Sequence, residues 1–491
     1  MKTNTLDFDA QALRERILDL AMRGKLVPQD PNDEPASVLL EKIKAEKEEL
    51  VKEKKIKKSK PLPAITDDEK PFNIPDSWEW VRLGDLGNYI QRGRSPKYDK
   101  NNTTHPIISQ KCVQWDNISL EHAKYITEEF FEKLEEYRFV KKNDILWNST
   151  GTGTVGRLNI VKEDLNHVPV DSHVTLIRTN DQVFSDYVYY YLMSPQIQNN
   201  LGDFLTGTTK QKELGLTNIL KVEVPLPPFS EQSRIAAKIA QLFALLRKVE
   251  SSTQQYAELQ TLLKSKVLDL AMHGKLVKQD PNDEPASVLL EKIKAEKAEL
   301  VKEKKIKKSK PLPPITDEEK PFDIPDSWEW VRLNDIGVWA AGATPSRKHP
   351  EYYGGNIPWL KTGDLNDGIV NDTSEKITEL GVENSSVKEN KPGNILIAMY
   401  GATIGKLGIV GDQKLVTNQA CCGCSLFDGI YNWYLFYYLL SSRRRLIDLG
   451  SGGAQPNISK NKIEKFVFPL PPISEQKRIV SKIKQLAGYC D

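Results

Sequence analysis

Apolar residues at Ile235, Ile239, Leu242, Leu246, Val249, Tyr256, Leu263, Val267 and Leu270 follow one another in alternating steps of four and three, interrupted only at Thr253 and Gln260. Spacing of this kind, sustained over 230–273, predicts one long helix carrying a coiled-coil seam. At ~1.5 Å per residue the helix would reach ~60–65 Å. Ile479, Ile483 and Leu486 repeat the start of the series, and Leu13, Ile17 and Leu20 repeat its end. The two chain ends together therefore predict a second arm, with both termini near the middle of an antiparallel helical pair. A further helix is expected over 36–57 and again over 286–307. Asp33 and Asp283 are placed to cap it, with Pro35 and Pro285 in the first turn. Elsewhere short β-rich runs (DILWNS, VTLIR, NILIAM) alternate with Gly, Asn and Pro turns. Two aromatic segments, YVYYYLMSPQIQNNL and YLFYYLLSSRRRLIDL, read as helices whose tyrosines pack a core. The mixture predicts an α+β fold.

The pattern occurs twice. Residues 29–63 recur at 279–313 with one change, Glu48 against Ala298. ILDLAMRGKLV from Ile17 faces VLDLAMHGKLV from Val267, IPDSWEWVRL recurs from Ile324, and VPLPPFSEQSRI from Val224 faces FPLPPISEQKRI from Phe468. Between these blocks, 84–221 and 334–465 have drifted apart while keeping a common skeleton. GRSPKY from Gly93 aligns with GATPSR from Gly342, and GTVGRLNIV from Gly153 with ATIGKLGIV from Ala402. Repetition fixes architecture. It predicts a circular, pseudo-twofold repeat: 1–26 as an N-terminal helix completing the coiled coil, 27–73 as a Lys-rich helix and linker, and 74–229 as a first variable domain. After it come 230–276 as the central helix, 277–323 as the repeated Lys-rich segment, 324–473 as a second variable domain and 474–491 as a C-terminal helix. Two shared surfaces should meet two identical partners, and two divergent surfaces two different things.

Composition narrows the function. A chain of 491 residues exceeds one core. No apolar run approaches the ~20 residues of a membrane span, and the first residues lack the apolar core of a signal peptide. Reduced, buried thiols in the cytoplasm are expected at Cys112, Cys421, Cys422, Cys424 and Cys490, because the CCGC cluster lacks the second pair or nearby histidines of a zinc site. Net charge is +2, but 41–60 carries +4 and 291–310 carries +5, which leaves −7 for the remainder. Binding of DNA through bulk charge would not produce that balance. Either DNA is not the ligand, or it is read locally while other subunits supply most phosphate contacts.

Catalytic motifs fail on inspection. Gly151, Gly153 and Gly156 spell a dinucleotide fingerprint, yet RLNIVKEDL after them reads as a strand where a helix is required. A tight hairpin fits better. Gly401, Gly405 and Lys406 imitate a phosphate loop one residue short, with Leu407 in place of the magnesium-binding hydroxyl. The six histidines are scattered. A binding protein without catalytic machinery is the economical expectation.

Two variable domains around a long shared helix, with GATPSR, IPWLKTGDL, GATIGK, GAQPNIS and PLPPISEQKRI in order, resemble the specificity subunit of type I restriction-modification systems. The second half carries these motifs more fully than the first, where Lys111 and Lys212 depart from them. The resemblance implies two target-recognition domains, each reading one half of a bipartite, asymmetric double-stranded DNA sequence. It also implies two modification subunits that bind S-adenosylmethionine and methylate adenine, and restriction subunits that use ATP and Mg. No cofactor is expected in this chain. Polar loop side chains suited to base edges make Arg94, Lys97, Gln110, Lys111, Arg157, Lys210, Gln211 and Lys212 the candidates in the first domain. Arg347, Lys361, Thr362, Lys406, Gln455 and Asn457 are those in the second. The alternative from another class is a structural adaptor whose variable domains bind proteins.

Overall fold

The computed structural model describes residues 8–99, 101, 103–206, 213–450 and 457–488. The chain divides into two compact units, Leu6–Thr253 and Gln254–Asp491. One helix, Phe229–Met272, runs through the point of division over 44 residues, as the four-three spacing predicts.

In the first unit the N-terminal helix Ala10–Met22 starts at Asp9, whose carboxylate accepts from the Ala12 N–H at 2.9 Å. Leu18, Ala21 and Met22 share a core with Ile235, Ile239 and Phe243 of the long helix. Direction follows from the polar pairs. Arg14 meets Glu250, whereas Gln29 and Asp33 farther along meet Glu231 and Arg234. The two strands of chain therefore run antiparallel. The first variable stretch is built on a four-stranded antiparallel sheet in the order Gly87–Arg92, Val174–Thr179, Ile145–Asn148, Leu158–Ile160. The aromatic helix Ser185–Leu192 lies in the core, and its hydroxyls donate to backbone carbonyls: Tyr187 to Pro225 (2.6 Å) and Tyr191 to Glu223 (2.5 Å). Those carbonyls belong to Glu223–Leu226, which pairs antiparallel with Glu79–Arg82.

The second unit repeats this plan with more strands. Its five-stranded sheet has the order Gly337–Ala341, Cys421–Leu426, Ile395–Ala398, Leu407–Val410, Gly368–Val370, the last pair parallel. A four-stranded sheet is formed by Lys376–Ile377, Tyr353–Leu360, Leu415–Thr417 and Glu389–Asn390. Tyr434 and Tyr438 of the helix Asn432–Ser441 hold the ribbon Glu329–Arg332/Val467–Leu470 as their counterparts do. The CCGC run is a strand: Cys422 and Cys424 enter the main core while Cys421, on the opposite face, enters a smaller one. Burial pushes all three thiols up.

Two expectations need correction. Asp33 and Asp283 do not cap the following helices. They take the guanidiniums of Arg234 and Arg478 at 2.6 Å, and the helices Ala36–Lys52 and Ala286–Lys302 begin directly after proline. Those helices also stop about five residues early. Lys54 and Lys304 adopt positive φ (56° and 58°), and the next N–H returns to the Leu50 or Leu300 carbonyl at 2.9 Å, the Schellman arrangement with lysine where glycine is usual. Along the long helix Ile235, Ile239 and Val267 are buried, and Val249, Tyr256 and Leu263 are 44%, 62% and 50% exposed.

Candidate nucleic-acid interface

In the first unit the glycine run joins Ile145–Asn148 to the antiparallel Leu158–Ile160, so it is a hairpin between strands and no helix N-terminus follows it. Gly151, Gly153 and Gly156 have φ of +104°, +77° and +90°, a left-handed region that other residues rarely enter. A Cβ at Gly151 would lie 2.6 Å from Gln110 Oε1 and would displace that side chain. The hairpin gathers several polar side chains. Thr150 Oγ1 lies 3.3 Å from Gln110 Oε1 and 2.6 Å from His173 Nδ1. Arg157 donates to Gln114 Oε1 (2.9 Å) and to the Gly153 carbonyl (2.8 Å). Asn148 donates to the Gln110 carbonyl at 2.9 Å, which ties the two loops together.

Thr150 also bridges to Glu213, whose carboxylate accepts from Arg92 at 3.2 Å. Arg94 reaches the same neighbourhood through a bridge to Asp171, but its guanidinium is held by Glu135 at 2.9 Å. The turn behind it depends on Gly93, where a Cβ would stand 1.9 Å from the Val170 carbonyl oxygen. Lys97 and Lys111 are exposed and take no side-chain part in this group. Lys210, Gln211 and Lys212 lie outside the described residues.

The second unit has the corresponding hairpin between Ile395–Ala398 and Leu407–Val410, with Gly401 and Gly405 at φ +83° and +77°. Lys406 closes it. Tyr400 bridges to Asn457, as Thr150 does to Glu213. Gln419, in the loop before Cys421–Leu426, accepts a short hydrogen bond from the Thr344 hydroxyl. Beside them Arg347 forms a two-pronged pair with Glu375 (2.5 and 3.0 Å), and Lys361 joins the same carboxylate at 3.3 Å. The Arg347 guanidinium holds the Glu375 carboxyl below its usual range, and it also lies over the Tyr353 ring at 4.1 Å. Thr362 sits on the short turn Thr362–Asp364, which Asp364 closes by accepting from the Lys361 N–H at 2.8 Å. Gln455 lies outside the described residues.

The two units thus present the same hairpin and a bridge from the corresponding position on it, Thr150 to Glu213 and Tyr400 to Asn457, with different side chains on them. A sequence model described as "Type I restriction modification DNA specificity domain" matches residues 75–260 and 325–490. The chain belongs to the type I restriction-modification specificity family.

Among the relatives of this specificity subunit, the Escherichia coli type I restriction enzyme EcoAI specificity subunit is 33% identical, over 99% of this chain and 90% of its own. The Escherichia coli EcoEI specificity subunit is 30% identical with the same coverage. The crystal structure of the HsdS subunit from Thermoanaerobacter tengcongensis has a similar fold, with a TM-score of 0.53 at 18% identity over 86% of this chain and 91% of that one. A specificity subunit is a non-catalytic component whose role is DNA-sequence specificity, here with two recognition domains. Among the described residues no three His, Cys, Asp or Glu side chains gather to hold a metal ion, and no helix is long and apolar enough to cross a membrane. Sequence reasoning about this specificity subunit missed His173, Gln114, Gln419 and Glu375. For His173 and Gln419 a signal existed: both fall in the loop just before the strand that completes the sheet.

Proposed function

We propose that this chain reads a bipartite, asymmetric double-stranded DNA target, with 74–229 and 324–473 as target-recognition domains that each read one half. In this proposal its duplicated frame scaffolds two modification subunits carrying S-adenosylmethionine, and restriction subunits using ATP and Mg join for cleavage, in the cytoplasm. A single observation carries the reading. One hairpin framework recurs in both units with unlike chemistry: Thr150, His173 and Glu213 in one, Tyr400, Gln419 and Asn457 in the other. Unlike readers on matched frames suit an asymmetric site, because tying two modest contacts to one chain makes the second intramolecular.

Of the proposed contacts, Gln110, Arg157, Lys406 and Asn457 stand at the hairpins, and Arg347 with Lys361 stands on Glu375. The guanidiniums of Arg94, Arg157 and Arg347 are already partnered, so each exchanges a protein acceptor for a base edge on binding. Replacing Arg157 with Ala is expected to cost about 1–3 kcal/mol at one half-site and nothing at the other; equal loss at both halves would count against separate readers. The deciding experiment is methylome sequencing of a host with and without this chain, in which one split motif should vanish on deletion. The charge of −7 outside the lysine tracts favours instead an adaptor that binds proteins. Footprinting of the assembled complex separates the two, since an adaptor protects no half-sites.

A further inference from the structure

The two lysine tracts are the largest feature that base reading leaves unused. Lys52, Lys54, Lys57, Lys58 and Lys60 are exposed in the first copy, as are Lys302, Lys304, Lys307, Lys308 and Lys310 in the second. Among the described residues none of these ten is ion-paired; between 52 and 60 and between 302 and 310 only Lys55 and Lys305 are, with Glu53 and Glu303 at 2.8 Å. Each tract is held at both ends. On one side Leu39 and Ile43 anchor the helix in the core and Lys47 donates to the Gly84 carbonyl at 3.0 Å. On the other side Arg82 donates to the Pro63 carbonyl at 3.2 Å. The second copy repeats this with Leu289, Ile293, Lys297 on Asn334 (2.8 Å) and Arg332 on Pro313 (3.2 Å). The result is an arch of unpaired cations pinned beside each recognition domain.

Three observations say that the arch has a ligand. Its solvent-facing positions from 49 to 63 recur unchanged at 299–313, with only the exposed Glu48 replaced by Ala298 at its start, although neighbouring stretches of the same fold have drifted apart. Burial cannot explain identity at exposed positions. A lysine occupies the left-handed turn in both copies, against the steric preference for glycine. The cations in both tracts are all lysine, with no arginine and no aromatic residue. Protein interfaces are depleted in lysine and enriched in arginine and aromatic rings, whereas mobile point charges suit phosphates that look alike at every step.

We infer that the two lysine arches grip the phosphate backbone of DNA without reading sequence, one beside each recognition domain. This rests on the proposed reading of DNA and adds to it a grip within this chain.

The test uses the complete complex and two variants: Lys54, Lys57, Lys58 and Lys60 all changed to Gln, and the same four changed to Arg. Affinity for the cognate duplex and for a scrambled duplex is measured across a range of KCl. Loss of four contacts should flatten the dependence of log affinity on log salt by roughly 3–4. The loss should be equal on both duplexes, with the Arg variant unchanged and the methylated motif intact. A change in slope below about 1 in a complex that still assembles overturns the inference. So does loss of the modification subunits from the Gln variant, which would make the arch a protein-docking surface. A parent complex that does not prefer its motif to the scrambled duplex overturns the DNA reading itself; a parent that does, with unmoved slopes, overturns only the arch.

Discussion

Glu231 accepts from Trp78 Nε1 at 2.9 Å and from Gln29 Nε2 at 2.5 Å, and Glu475 does the same for Trp328 and Gln279. Trp78 can only donate, and Gln29 presents its NH2 while its Oε1 accepts from Ser77, so a carboxylate satisfies both without turning the Gln29 amide. Burial nevertheless pushes each glutamate up, which opposes the charged form. The lost acceptor should outweigh the relieved desolvation. Glu231→Gln either faces an NH2 toward the buried Trp78 N–H or turns the Gln29 amide away from Gly24 and Ser77, and should destabilise by about 1–3 kcal/mol, read as a lower melting temperature; a higher one would reverse the ranking. Glu69 behaves oppositely, because the Arg82 guanidinium holds its carboxyl down to about 2. A depressed folded value adds stability that is complete above the unfolded value of ~4.3 and is lost as pH falls toward 2. Glu69→Gln should therefore melt below the parent at pH 6, and the gap should close by about pH 2. Lys54 gives a third expectation: Lys54→Gly relieves a left-handed lysine and should stabilise by about 1 kcal/mol.

Elements were legible where one periodicity acts alone. The four-three spacing gave the long helix, and the adjacent tyrosines gave a core helix. The strand-like run after Gly156 gave a hairpin where a nucleotide loop would have needed a helix. Failures came where a distant partner decides. Asp33 has the chemistry of a cap, but Arg234, about two hundred positions away in the chain, claims its carboxylate. In the candidate site Arg347 was legible as a polar loop residue, while Glu375, which occupies its guanidinium, lies on another loop with no shared motif. Glycines at close approaches were readable from the alignment of the two halves. Gly342 has the Thr417 carbonyl oxygen 2.1 Å from where a Cβ would stand, so the loop holding Thr344 must move if a methyl is added. Gly342→Ala should cost about 1–3 kcal/mol and weaken recognition at one half-site only, measured as binding to duplexes altered in either half.

Each divergent stretch enters and leaves its unit through a two-stranded neck. Arg82 pairs with Glu223, and the Leu83 N–H reaches the Val222 carbonyl at 2.8 Å. In the other unit Arg332 pairs with Val467, and the Leu333 N–H reaches Phe466 at 2.9 Å. Chain entry and exit are therefore side by side, and 84–221 can be exchanged without cutting the frame that Trp78, Gln29 and Glu231 hold. What a graft must carry is also defined, since the neck is gripped from within the divergent stretch by Tyr187 and Tyr191 in one case and by Tyr434 and Tyr438 in the other. The second stretch supplies that grip itself. Replacing 84–221 with a second copy of 334–465 should fold, and should give a methylated motif in which the half read by the first domain is replaced by the half read by the second. Methylome sequencing of a host carrying the chimaera checks this directly. A motif altered in both halves would mean that the two domains read jointly, and that the neck carries more than mechanical support.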